Sequence, residues 1–191
     1  MTTLSREDWL NEAAELIIDD VLQSAVDSEH PKPPYKISVA PLKSKALGQC
    51  HKRAQSTGQK NEIFITAHCD DSQTVLATLT HELIHAYDDC QSGHKNFFAF
   101  AARRAGLEGK LTQTVAGATL IATFSTYIEA LGPIPHDALT VPNKDKGRNN
   151  NKIKCNECGF QANLSRKWAE QIRPSALCPV CLNAELEVIT K

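Results

Sequence analysis

Two groups of residues in this chain have the types and spacing that hold metal ions. The first is His81-Glu82-Leu83-Ile84-His85, two histidines four residues apart with a glutamate directly after the first. On a helix that interval stacks both imidazoles on one face, while Glu82, about 100° further round, can still lean toward a water at the same ion. Such a HExxH stretch is the arrangement of metal-dependent peptide hydrolysis, with the histidines as ligands and the glutamate as general base. A hydrolytic zinc takes three protein ligands and leaves one position open, so a third donor must follow once the chain has turned back. His94, directly after Gly93, is the best placed. Asp88, Asp89, His68 and His136 are the other candidates. Gln91 stands where the metzincin spacing requires a ligand, which disfavours that arrangement.

The second group is Cys155-Asn156-Glu157-Cys158 followed after nineteen residues by Cys178-Pro179-Val180-Cys181. Two knuckle turns, each contributing two thiolates, make a four-cysteine structural zinc site at this spacing. The segment around them is too short for a large core, so the metal is expected to supply much of its folding energy. The expectation is therefore two zinc ions, one catalytic and one structural. Cys50, Cys69 and Cys90 are read as ordinary thiols rather than further ligands.

The elements that must position these residues follow from periodicity. Ser5 and Asp8 form an N-cap arrangement ahead of Trp9, Ala13, Leu16 and Ile17, which predicts a helix over 6–28 that Pro31, Pro33 and Pro34 bar from continuing. Residues 35–39 alternate like a strand, 43–60 are polar and irregular, and 62–66 read as a second strand. From Ser72 to Cys90 there is no Gly or Pro, and Val75, Leu76, Leu79, Leu83, Ile84 and Tyr87 share one face, so the HExxH stretch lies mid-helix. Gly93 is expected to turn the chain toward a helix over 95–104 that ends at Gly106. An extended piece over 111–115 and a helix over 118–131 follow, stopped by Gly132-Pro133.

Residues 142–151 lack apolar side chains and read as a linker. Of 191 residues, 41% are hydrophobic and 23% charged, which excludes a disordered or membrane-embedded chain as the expectation. Net charge is −1, yet residues 1–141 carry 12 Lys+Arg against 17 Asp+Glu and residues 142–191 carry 9 against 5. A basic appendage on an acidic domain suits contact with a polyanion. The first eight residues do not resemble a signal peptide, no apolar run approaches the roughly 20 residues of a membrane span, and the CxxC pairs suit a reducing compartment. A cytoplasmic location without membrane contact is expected.

The stretch Leu76-Ala77-Thr78-Leu79-Thr80-His81-Glu82-Leu83-Ile84-His85-Ala86-Tyr87, with Ser92-Gly93-His94, Phe97, Phe98 and Gly106-Leu107-Glu108-Gly109-Lys110, resembles the SprT-like/Spartan metalloproteases. Including the cysteine segment, the resemblance covers roughly residues 60–185. Lys95 departs from the glycine that many members carry after the third histidine. The resemblance implies an α+β fold: a minimal zincin-like domain of helices with a small sheet over 1–141, a basic polar linker over 142–151, and a zinc ribbon over 152–191. It implies metal ligation by His81, His85, His94, Cys155, Cys158, Cys178 and Cys181, with Glu82 as catalytic base. It further implies that Glu62-Ile63-Phe64-Ile65 is the edge strand at the active site, and that substrates are proteins associated with or crosslinked to DNA.

Two matters stay open at this stage. Trp168 either fills the ribbon's small core or stacks on a nucleic-acid base beside Arg166, Lys167 and Arg173, with Lys144, Lys146, Arg148, Lys152 and Lys154 as phosphate contacts. The rival to a peptidase is a nucleic-acid-binding or transcription-associated zinc-ribbon protein with an inactive zincin scaffold. Tyr87, Tyr127, His136 and Arg103 are the candidates for stabilising an oxyanion.

Overall fold

The computed structural model describes residues 4–42, 46–140, 151–171 and 176–189, which form two compact units, Met1–Val141 and Pro142–Lys191. Both helices and strands contribute, so the chain is of mixed α and β structure.

The first unit opens on α1 (Arg6–Leu16), whose start is capped by Ser5 Oγ accepting from the Asp8 amide at 3.1 Å. The helix continues through a π-helical stretch (Ile17–Leu22) into α2 (Gln23–Ala25) and stops there, three residues short of the predicted end, because Val26 turns extended. The wider π turn exposes the Leu16 carbonyl, and the Tyr127 hydroxyl reaches it at 3.2 Å while also lying 3.0 Å from Asp20 Oδ2.

β1 (Tyr35–Ala40), β2 (Gly48–His51) and β3 (Asn61–Thr66) form one sheet in the order β1-β3-β2, parallel between β1 and β3 and antiparallel between β2 and β3. Sequence periodicity misses β2, and the edge position expected of residues 62–65 is corrected: β3 is the central strand, and the outer strand nearest the histidines is β2. Ile63 and Ile65 are buried at the centre of the core.

α3 (Ser72–Tyr87) is capped by Asp71, whose carboxylate accepts from the Thr74 amide at 2.8 Å. It packs against α1, β2 and β3, and then against the later elements α4 (Asn96–Arg104), β5 (Gln113–Ala116) and α5 (Ala118–Leu131). Leu76, Leu79, Leu83 and Ile84 are fully buried, each contributing roughly 1.5–3 kcal/mol of apolar transfer. β4 (Leu107–Lys110) pairs with β5 in an antiparallel hairpin, where the sequence suggested one extended piece. The Trp9 indole is fully buried and donates to the Gly132 carbonyl at 3.0 Å, tying α1 to the end of α5.

The second unit is a three-stranded antiparallel sheet in the order β7-β6-β8, from β6 (Asn151–Cys155), β7 (Gln161–Leu164) and β8 (Leu186–Ile189), with a short helix α6 (Arg166–Gln171). Its core is small: Ile153, Cys155, Cys178 and Leu186. Asn151, which composition assigns to the linker, is buried and pairs with Leu164. Residues 142–150, with the basic side chains predicted there, and Arg173 lie outside the described residues. Among the described residues no helix is long and apolar enough to cross a membrane.

Candidate metal centres

α3 carries His81 and His85 one turn apart, and the chain behind it must bring His94 back to them. The helix ends at Tyr87, and reversal begins earlier than Gly93, at Asp89 and Cys90, both in the left-handed region with φ of 53° and 57°. Hydrogen bonds within the turn and to distant segments hold it. The Cys90 amide donates to the His85 carbonyl at 2.7 Å, and the Asp89 carboxylate accepts from the Arg53 amide at 2.7 Å and from the Asn61 side chain at 2.9 Å. Gly93, with φ of 55°, completes the approach.

The three imidazoles then converge. His94 Nε2 lies 3.2 Å from His81 Nε2 and 3.3 Å from His85 Nε2. One N–H on His94 cannot point along both lines, so hydrogen bonding alone does not account for the cluster, whereas a cation between three lone pairs does. Tetrahedral ligands at about 2.0–2.1 Å from zinc stand roughly 3.3 Å apart, which the observed spacing matches. His81 is further oriented by Thr114 on β5, whose Oγ1 is 2.8 Å from Nδ1. With Nδ1 as donor to that hydroxyl, Nε2 is left unprotonated and free to ligate. The fully buried Phe98 ring lies beneath all three, stacked on His85 at 4.2 Å between centroids and edge-on to His81 and His94.

Burial favours the uncharged forms throughout this site. It pushes His81 down to about 3 and His85 down to about 4, with the neighbouring histidines adding to the effect, and it also lowers His94. Three neutral imidazoles are the state a metal needs. Glu82 is raised to about 8, first by burial and then by Cys90. A bound dication would oppose that shift by its own charge.

The histidines and Glu82 line a cleft of about 670 Å³. Thr78 and these α3 residues form its floor, β2 one wall, and residues 112–114 the other. Gly48 on β2 lies against Glu82 so closely that a Cβ there would stand 2.6 Å from Oε1 and 2.7 Å from Thr78 Cγ2. Neither Gly48 nor Thr114 was singled out by sequence reasoning. A glycine within a strand signals close backbone approach, but only once β2 is known to be a strand.

The alternative third ligands lie outside the cluster and make other contacts, save for Asp88 Oδ1, which is buried without a hydrogen-bond partner among the described residues. Asp88 Oδ2 accepts from the Ser92 amide at 2.8 Å, and Asp89 holds the turn. His68 Nδ1 pairs with the Leu139 carbonyl at 2.8 Å, and His136 sits between Arg6 and the Ala67 carbonyl. None joins the cluster of His81, His85 and His94. Tyr87, Tyr127, His136 and Arg103, the candidates for an oxyanion contact, do not line the cleft.

In the second unit Cys155, Cys158, Cys178 and Cys181 also bring their donor atoms within 4.8 Å of one another. Cys155 Sγ is 3.6 Å from Cys181 Sγ, and Cys158 Sγ is 3.5 Å from Cys178 Sγ. Tetrahedral thiolates at about 2.3 Å from zinc stand roughly 3.8 Å apart, so four sulfurs at this spacing fit one ion. The two knuckles repeat each other. Gly159 donates to the Cys155 carbonyl at 3.1 Å and Leu182 to the Cys178 carbonyl at 2.9 Å, and both residues are left-handed, with φ of 75° and 60°. The Val180 amide adds a contact to Cys178 Sγ at 3.4 Å. Trp168 is 59% exposed and outside the small core, so the core-filling role is corrected, and Lys167 Nζ lies 5.7 Å from its ring centroid.

No family model matches the chain, and no curated protein sequence matches it.

Proposed function

We propose that the chain is a zinc-dependent peptidase of the SprT-like kind, a minimal zincin domain followed by a zinc ribbon. The observation that carries this reading is the convergence of three imidazoles, with His94 Nε2 3.2 Å from His81 Nε2 and 3.3 Å from His85 Nε2, beside a carboxylate from the same helix as the first two in the same cleft. His81, His85 and His94 would hold a zinc ion, which would supply Lewis acidity toward a scissile carbonyl and toward the attacking water. Glu82 takes the proton from that water and passes it to the leaving amine. Burial of Glu82 between Gly48 and Thr78 limits the orientations its carboxylate can adopt, and Thr114 holds the tautomer of His81. Among the described residues β2 hydrogen-bonds to β3 alone within its sheet, which leaves an outer edge where an extended substrate can add as a strand.

Cys155, Cys158, Cys178 and Cys181 would hold a second, structural zinc, which would stand in for the core this segment lacks. The exposed Trp168 ring beside Lys167, with Lys152 and Lys154 on β6, supports nucleic-acid contact through this unit. By resemblance, the substrates are proteins bound or crosslinked to DNA.

Metal analysis of the purified chain, followed by casein cleavage and self-cleavage with and without DNA, tests this reading beside Glu82→Gln. Two zinc ions per chain and cleavage that disappears in the variant are expected. Tight DNA binding with no cleavage under any condition would establish the rival, a nucleic-acid-binding protein on an inactive scaffold.

A further inference from the structure

The cleft contains two nucleophilic side chains that the hydrolytic reading leaves unused. Cys50 on β2 and Cys90 in the turn after α3 both line it, although forty residues separate them in sequence. Cys90 Sγ lies 3.6 Å from the Cys50 carbonyl oxygen, to which its S–H donates. Both are half-buried and unpaired by disulfide.

Their approach is built into the fold. Cys90 occupies the left-handed region, which a non-glycine residue adopts only when its surroundings hold it there. The surroundings here are Asp89, itself left-handed, and its bonds to the Arg53 amide and to Asn61. Asn61 in turn donates to the His51 carbonyl at 3.0 Å, next to Cys50 on β2. The turn that carries Cys90 is thereby tied to the strand that carries Cys50, and the Cys90 sulfur is held against the Cys50 backbone.

We propose that Cys50 and Cys90 form a dithiol modification site, which a peroxide converts to a disulfide across the end of the cleft. The Cys90 sulfur attacks the peroxide, forming an S–O bond as the O–O bond breaks, and a sulfenic acid and one water result. The Cys50 sulfur then displaces that hydroxyl, an S–S bond forms, and a second water leaves. Two thiols lose two protons and two electrons, and one hydrogen peroxide becomes two waters. A dithiol reductant reverses the change. The bond would draw β2 toward the turn between the second and third histidines. Gly48, two residues from Cys50, already touches Glu82, so displacement of the strand displaces the base. This consequence rests on the hydrolytic reading, whereas formation of the bond does not.

The test treats the zinc-loaded full chain with hydrogen peroxide, alkylates the remaining thiols, and maps the peptides by mass. A peptide pair joined through Cys50 and Cys90, lost on dithiothreitol treatment, is expected, as is its absence in Cys50→Ser and its persistence in Cys69→Ser. Cleavage should fall on the order of 100-fold with the linkage and return on reduction, as a base misplaced by about 1 Å implies. Cys50 and Cys90 both recovered as free thiols or as separate sulfinic acids, while other cysteines have reacted, would overturn the site. A mapped linkage without loss of cleavage would overturn its effect on the cleft. Absence of cleavage in the reduced protein counts against the peptidase, and the mapped linkage is judged by mass alone.

Discussion

The backbone of Gly48 lies against the carboxylate of Glu82 with no room for a methyl group between them, so a β2 residue sets where the proposed base on α3 can rest. Gly48→Ala would place Cβ 2.6 Å from Oε1 and 2.7 Å from Cγ of Glu82. Rotation of Glu82 relieves its own contacts but not the 2.7 Å approach to Thr78 Cγ2, so β2 must also shift slightly, at a cost of about 1–3 kcal/mol that the fold should survive. Peptide cleavage should fall on the order of 100-fold with zinc content unchanged. Unaltered cleavage in a normally melting, zinc-loaded variant would show that this contact does not position the base.

Burial of Glu82 has a pH signature in the metal-free protein. Its folded value of about 8 lies above the ordinary 4.5, so the folded state holds a proton that the unfolded state releases. The associated stability is fully present below pH 4.5 and is lost as pH rises toward 8. Glu82→Gln removes that loss. Zinc-free wild type and variant should unfold alike in urea near pH 4.5 and diverge by roughly 3–5 kcal/mol near pH 8, the variant being more stable. His81 and His85 act with opposite sign, since values depressed to about 3 and about 4 withdraw stability as pH falls below 6.5. They act equally on both proteins and cancel in the comparison.

Thr114 should act on metal affinity more than on folding. Replacement by Val removes the oxygen 2.8 Å from His81 Nδ1 and keeps the side-chain volume. Zinc affinity of the three-histidine site should drop about 10-fold in chelator competition, with Thr114→Ser restoring it. Equal affinity in all three proteins would mean that His81 is oriented by its packing on Phe98 alone.

The second knuckle carries strain that the first avoids. Leu182 takes the left-handed conformation that Gly159 takes in the matching turn, yet its side chain is 69% exposed and gains little from packing. Leu182→Gly should stabilise the zinc-bound tail by about 1 kcal/mol, which is roughly five-fold slower or weaker loss of metal to a chelator. Faster zinc loss from the variant would indicate that the Leu182 side chain holds the knuckle.

The metal donors could be read along the chain because their grouping is largely local. Four residues make one helical turn, and a CxxC pair closes on itself, so the spacing of His81 and His85, and that within each cysteine pair, is set by backbone geometry before any tertiary contact forms. His94 was harder, since Asp88, Asp89, His68 and His136 had the right chemistry and only the turn at Asp89 and Cys90 separates them from it. Its donors, the Arg53 amide and Asn61, come from distant segments.

The walls around those donors depended on pairings that periodicity does not report. Alternation in residues 62–65 indicates burial, but it does not name the neighbours of a strand, and β3 is central because β1 and the short, polar β2 flank it on either side. Gly48, Thr114 and the Cys50–Cys90 pair gain their meaning from partners more than thirty residues away. A residue's type and its near neighbours announce which atoms can bind or react; which side chains face those atoms follows from how strands and turns far apart in the chain come to be packed together.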